Sequence, residues 1–379
     1  MSQNSSLRGK RLYRLPGILI IVQSAFNPIL VSISGFQLYL ASALLLLLTT
    51  LSFILADKVS RELNDSFPNW IYLTITLNFL ISVLIHGYNE YAIANISRIT
   101  MLFLCCRYLF LYSKHYARLI DIYFISSILL SIVLDLNLIL SGYDIANRIS
   151  PIGQGSANTF GSALAIICLL RLSISDEFSR LSNRFAIFIG LPIITFTIIG
   201  TFSRGALVGF ILGLMVILRR KLNFRHVPQI LAIVIFLFLC FQIYGVTKLV
   251  VPSRYSTTSF SDSSGRTIIF ENAISAFSDN PIFGAGVGTR FNPYTSGEAS
   301  THNVFLQVLG ESGLLGILIL IIVLAVAFKR YRPKKSAPAL YCLLIVSLTD
   351  NHFLAVQFHL VLGLVYLLLL RDKAYSKNT

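Results

Sequence analysis

The chain has 379 residues, of which 55% are hydrophobic and 12% charged, and carries a net charge of +15. Soluble domains average about 25% charged residues, so this composition excludes an ordinary soluble globular protein. Apolar runs of bilayer-spanning length recur along nearly the whole chain, too continuous for the alternating strands of a barrel.

In chain order the runs predict about twelve transmembrane helices, at 16–33, 36–56, 69–87, 91–112, 117–140, 157–172, 184–200, 205–218, 227–247, 303–328, 337–350 and 352–370. The expected fold class is an all-α polytopic membrane protein, one integral membrane domain over 1–379. The first span follows a basic stretch, but Asn27-Pro28 interrupts it and more spans follow. It reads as an uncleaved span, not a signal peptide. Spans eight and eleven are short, so they are expected to be broken or tilted.

Lys and Arg test this layout. With the N-terminus inside, 23 of them fall on the inner side and six on the outer, while Arg98 and Arg107 lie within span four. That bias puts both termini in the cytoplasm. It also explains the positive charge without nucleic acid. Cys105, Cys106, Cys168, Cys240 and Cys342 all lie in apolar runs without ligand spacing, so neither a disulfide framework nor a metal site is expected. The inner loops hold no Gly-rich phosphate loop, and no cofactor is predicted.

Two outward segments stand out. Asn147 to Gly161, NRISPIGQGSANTFG, is polar and could dip into the membrane against protein or a wet cavity. The second is the large loop 247–301. In it, Arg266 to Phe277 puts Ile269, Phe270, Ala273, Ile274 and Phe277 on one helical face, with Ser264 as a possible N-cap and Pro281 as a stop. An interfacial helix is expected there. FGAGVG, Phe283 to Gly288, reads as a flexible turn and lacks the strand–turn–helix context of a nucleotide fingerprint.

The candidate chemistry is cationic. Arg204 sits at the outer end of span eight, where basic residues are scarce, and Arg266 opens the loop helix. Arg98 falls inside an apolar span, where an arginine is costly and faces a cavity or a partner. Such guanidinium groups suit a polyanion such as a diphosphate. An anchoring charge at a span boundary is the competing reading for Arg204, and a solvated loop charge for Arg266. His302 follows Thr301, a plausible N-cap for span ten. The first helical turn disfavours imidazolium, which suits a neutral general base; an interfacial histidine is the plainer alternative. Glu311, nine residues on, reads as a structural buried polar group. Asp350 and His352 lie at a tight outer turn and could join the site.

Three stretches, SRGALVGF (Ser203 to Phe210), GRTIIFENAISAFSDNPIFGAGVG (Gly265 to Gly288) and HNVFLQVLGESGLLG (His302 to Gly316), together resemble the signature of the O-antigen ligase and O-antigen polymerase superfamily. These are bacterial inner-membrane glycosyltransferases of surface-polysaccharide assembly. The resemblance implies an undecaprenyl-diphosphate-linked glycan donor on the periplasmic side. It implies an acceptor glycan, either a lipid-linked repeat unit or lipid A core, and membrane lipids around the site. It admits a chain-length regulator as a partner and requires no metal or nucleotide sugar. On matching positions it makes Arg204 and Arg266 diphosphate ligands and His302 the base, with Arg290 and Arg254 as weaker candidates. No outward carboxylate pair offers a covalent route, so inversion is expected. The last motif leans toward polymerases, and NRISPIGQGSANTFG toward the matching ligase loop. A polysaccharide-precursor transporter remains the alternative of another class, although no paired halves of the kind transporters show are apparent.

Overall fold

In the computed structural model, the described residues are 30–33, 36–39, 69–87, 96, 99–100, 102–106, 109, 115–140, 157–201, 203–221, 266–289, 291, 301–331, 335–349 and 359–377. The expected span at 227–247, together with Arg98, Arg254, Arg290, Asp350 and His352, lies outside them.

The described residues are helical apart from one short hairpin. Its strands are β1, Leu30–Ile33, and β2, Phe36–Tyr39. They are antiparallel, with Val31 opposite Leu38, Ser32 opposite Gln37 and Ile33 opposite Phe36. In this register apolar residues pair with apolar and polar with polar. This hairpin occupies the junction assigned from sequence to the first two spans. A short apolar run rich in β-branched residues reads equally well as strand or helix.

The helices are α1 (Asn69–His86), α2 (Tyr116–Leu140), α3 (Ala157–Ser173), α4 (Arg180–Phe185), α5 (Leu191–Gly200), α6 (Arg204–Lys221), α7 (Arg266–Asp279), α8 (Val304–Tyr331), α9 (Ala337–Ser347) and α10 (His359–Lys377). A π-helical stretch, Ala186–Gly190, joins α4 to α5 without a break. Among the described residues, three stretches, Tyr116–Asn137, Arg180–Gly200 and Val304–Ala325, are long and apolar enough to cross a bilayer by length and composition.

The polarity pattern is that of a membrane protein. On α2, Ser127, Ser131 and Asp135 are buried at a spacing of four, while Ile125, Leu129, Val133 and Leu136 are exposed. On α1, Leu73, Leu77, Leu80 and Leu84 form an exposed stripe and Ser82 is buried. A helix in water would do the reverse. In lipid, polar groups turn inward and apolar stripes face the acyl chains.

At the centre is α3, apolar all round and covered by α2, α5, α6, α9 and α10. Three glycines on α6, at a spacing of four, permit its closest packing. A Cβ at Gly205 would strike Thr349, one at Gly209 would lie 3.0 Å from Cys342 Sγ, and one at Gly213 would strike Leu169 and lie 3.0 Å from Pro338 O. The order of these partners makes α6 antiparallel to α9. Small residues at i and i+4 let membrane helix backbones approach in this way.

One end of the helix assembly is tied by charge. Arg171, 1% exposed, donates from Nε to Asp121 Oδ1 at 2.6 Å, from Nη1 to Asn183 at 3.1 Å and from Nη2 to Ser182 at 2.7 Å. Its guanidinium also lies 3.5 Å from the Phe178 ring centroid. The sequence reading counts Arg171 among the topology-setting charges; it is a buried, fully engaged group. Nearby, Glu177 receives Tyr116 Oη at 2.8 Å and Arg371 at 3.0 Å, and Lys335 pairs with Asp176 at 2.6 Å.

The third candidate span is sharply bent. Gly313 has φ 59 and ψ −152, outside helical space. Across it, a Cβ on Gly316 would lie 2.9 Å from Val308 Cγ1. A straight helix would separate two residues eight apart by about 12 Å. So α8 is two arms meeting at Gly313, and Val304 and Phe305 of the first face the same groove as Leu320 and Leu324 of the second. The expectation of one continuous span over 303–328 is corrected accordingly.

Candidate active site

The first arm of α8 begins with a defined cap. Asn303 Oδ1 accepts from the backbone N–H of Phe305 at 2.9 Å and Leu306 at 3.1 Å. Asn303 is thus the N-cap in place of the expected Thr301. His302 therefore stands one residue outside the cap, half-buried, with φ 53. Left-handed backbone is uncommon for a non-glycine residue and marks a position held by its surroundings. Among those surroundings, Thr301 Oγ1 donates to Asn303 O at 2.7 Å, and Thr301 N–H donates to Gln307 Oε1 at 2.7 Å. The argument that the first helical turn keeps the imidazole neutral falls with the cap assignment.

Arg204 opens α6, half-buried, after Ser203. Ser203 Oγ accepts from Ala206 N–H at 3.3 Å, a capping contact that starts the helix there. Two contacts relate this start to that of α8. Gly205 backs onto Thr349, just past the end of α9, and Val304 and Phe305 line a groove with Ser347 at that same end. The helix starts that carry Arg204 and His302 therefore both lie near the end of α9.

Arg266 is the first residue of α7. The helix packs on α8 through Ile269 and Ala273, with Ala273 O lying 3.2 Å from where a Cβ on Gly310 would stand. Past its end, Leu314 N–H donates to Pro281 O at 2.9 Å. These successive contacts direct α7 along the first arm toward the bend. Its start lies at the same end of the pair as His302. The predicted face holds in part: Ile269 and Ala273 are buried, whereas Ile274 is 49% exposed. Pro281 follows the helix end at Asp279 as expected.

The FGAGVG segment is not a flexible turn. Ala285 N–H donates to Gly310 O at 2.8 Å, Gly286 N–H to Glu311 O at 3.0 Å, Val287 N–H to Ser82 Oγ at 2.7 Å, and Gly288 N–H to Glu311 Oε1 at 3.0 Å. Gly284, Gly286 and Gly288 all have positive φ, between 69 and 99. Glycine is needed here for backbone shape and close approach to the bend. Glu311 is buried and also receives Gln307 Nε2 at 2.5 Å, which agrees with a structural polar group. From α1, Asn78 Nδ2 reaches Ser312 Oγ at 3.1 Å. Sequence reasoning missed Asn78, Ser82, Asn303 and Gln307. Only Asn303 carried a local signal, as an Asn just before an apolar run.

Among the described residues, no group of His, Cys, Asp and Glu is arranged to hold a metal ion. The comparison with curated proteins gave no match. Residues 185–321 match the family model described as O-antigen ligase. This stretch is similar to the O-antigen ligase family. It runs from the last residue of α4 into the second arm of α8 and contains all three resembling motifs. The matched region thus holds the starts of α6, α7 and α8 and the bend that the glycine turn braces.

Proposed function

We propose that the chain is a membrane glycosyltransferase that takes a glycan from undecaprenyl diphosphate on the periplasmic side of the inner membrane. Its primary reading is a polymerase that joins lipid-linked repeat units. Both termini are cytoplasmic in this reading, and residues 247–301 form the periplasmic loop. A ligase that moves the finished glycan to lipid A core is the second reading; the description of the matching family favours it. The observation that carries the proposal is that match, which spans the segment where Arg204, Arg266 and His302 each stand at a helix start.

In the proposed reaction an acceptor hydroxyl oxygen attacks the anomeric carbon of the donor. The bond from that carbon to the diphosphate oxygen breaks, and its electron pair leaves with undecaprenyl diphosphate. A ring nitrogen of His302 takes the hydroxyl proton. Arg204 and Arg266 bind the diphosphate and stabilise the charge that develops on it. Arg98, Arg254, Arg290 and Asp350 are secondary candidates for the same site. One direct displacement inverts the anomeric centre.

The test is transfer by purified protein in nanodiscs, given undecaprenyl-diphosphate-linked repeat units with and without lipid A core. A ladder of longer glycans without lipid A core supports the polymerase. Transfer only with lipid A core supports the ligase. No transfer by folded protein with cognate substrates overturns both.

A further inference from the structure

Glu311 and Gln307 form a relay that ends beside the histidine. Gly288 N–H and Gln307 Nε2 both donate to Glu311 Oε1, at 3.0 and 2.5 Å. The other end of the same amide, Gln307 Oε1, accepts from Thr301 N–H at 2.7 Å. Thr301, Gln307 and Glu311 are 0, 5 and 6% exposed. In such a place each lost partner leaves a buried polar group unsatisfied. Thr301 adjoins His302, whose left-handed backbone fixes where the ring can point. Gly288 belongs to the turn that follows α7, the helix opened by Arg266. One carboxylate oxygen therefore ties together the two segments that carry His302 and Arg266.

We infer that Glu311, acting through Gln307, is a positioning residue: it holds His302 against the α7 segment at the distance transfer requires. This inference rests on the transfer reading above. Glu311 touches no reacting atom in it. The relay has a direction, since Gln307 must offer its amide N–H groups to Glu311 and its oxygen to Thr301. Gln307→Glu removes the donor and sets two carboxylates together. The double exchange Gln307→Glu with Glu311→Gln restores a donor–acceptor pair at the centre with its direction reversed, but because both donors share Glu311 Oε1 it leaves Gly288 N–H without its acceptor.

The experiment measures donor KM, kcat and the rate of diethyl pyrocarbonate modification of His302, read by peptide mass spectrometry with His86 as internal reference. The full-length protein is used, as wild type, Gln307→Ala, Gln307→Glu and the double exchange, each also in a His302→Ala background for transfer. Displacements of about 1 Å cost on the order of 100-fold in rate. We expect both single variants to lose about 10- to 100-fold in kcat with KM nearly unchanged. We expect the double exchange to recover part of it, and the loss to vanish in the His302→Ala background. His302 modification should shift several-fold in Gln307→Ala while His86 does not. Unchanged His302 reactivity, or a kcat loss that persists undiminished in His302→Ala, overturns the positioning role even if wild type transfers glycan. Absence of transfer by wild type overturns the function reading instead.

Discussion

Gly209 and Cys342 meet with no space for a methyl group between them: a Cβ on the glycine would lie 3.0 Å from Sγ and 3.1 Å from the carbonyl oxygen of Cys342. The second of these is backbone and cannot turn aside. Gly209→Val should therefore separate α6 from α9 and destabilise the fold by about 1–3 kcal/mol, the range for overpacking a close-packed contact. Val208→Leu, on the exposed side of the same helix, should leave the unfolding midpoint in detergent unchanged. Equal midpoints for both variants would refute this packing.

Arg171→Leu should be among the most destabilising single changes. It leaves Asp121 without its cation and Asn183 and Ser182 without a donor, next to the α3–α4 link. Breaking a buried ion pair from one side costs about 3–5 kcal/mol. Loss of folded protein on size-exclusion chromatography after detergent extraction checks it. Lys335→Ala, whose partner Asp176 is 63% exposed, should cost under about 1 kcal/mol.

Gly313→Ala should separate the bend from the glycine turn. The backbone there is nearly glycine-only, and a Cβ would stand 2.6 Å from Ile282 O and 2.7 Å from Gly284 N. Gly87→Ala is the control, because Gly87 has φ 82 but nothing within 4 Å. It pays the conformational cost alone, about 1 kcal/mol. We expect Gly313→Ala to lower the midpoint more than Gly87→Ala and to abolish transfer. Equal effects would mean that the docking of Ile282 to Gly284 on the bend is unimportant.

His302→Ala should lower kcat by about 10²- to 10⁴-fold, the usual worth of a general base, without altering the unfolding midpoint. Asn303→Ala should remove the cap that starts the first arm, at about 0.5–2 kcal/mol. It should reduce transfer less than His302→Ala does. Full activity in His302→Ala would remove the histidine from the chemistry.

Much of this fold was written in local pattern. Apolar runs placed α1, α2, α3, the joined α4–α5 run, α6 and α9 within a few residues, because burial in lipid needs only length and composition. The start of α7 at Arg266 and its end before Pro281 were also legible. The bend was not. Its glycine follows Glu311-Ser312 without a turn signal, and its conformation is matched to Pro281 and Ile282, some thirty residues upstream in the chain. The role of Glu311 was hidden for the same reason, since its partner Gly288 lies 23 residues away. The spacing of Gly205, Gly209 and Gly213 was visible in the sequence. Its meaning emerged only with Thr349, Cys342 and Leu169 beside it. The motifs named the matched region, but gave the histidine the wrong place relative to its helix by two residues, because the cap is Asn303 and not Thr301.

The shortness of α9 has a further consequence. Its 11 residues rise about 16 Å, roughly half the hydrocarbon thickness of a bilayer. The helix stops at Ser347, level with the starts of α6 and α8, so those starts stand about half a bilayer's depth from the charged end at Lys335.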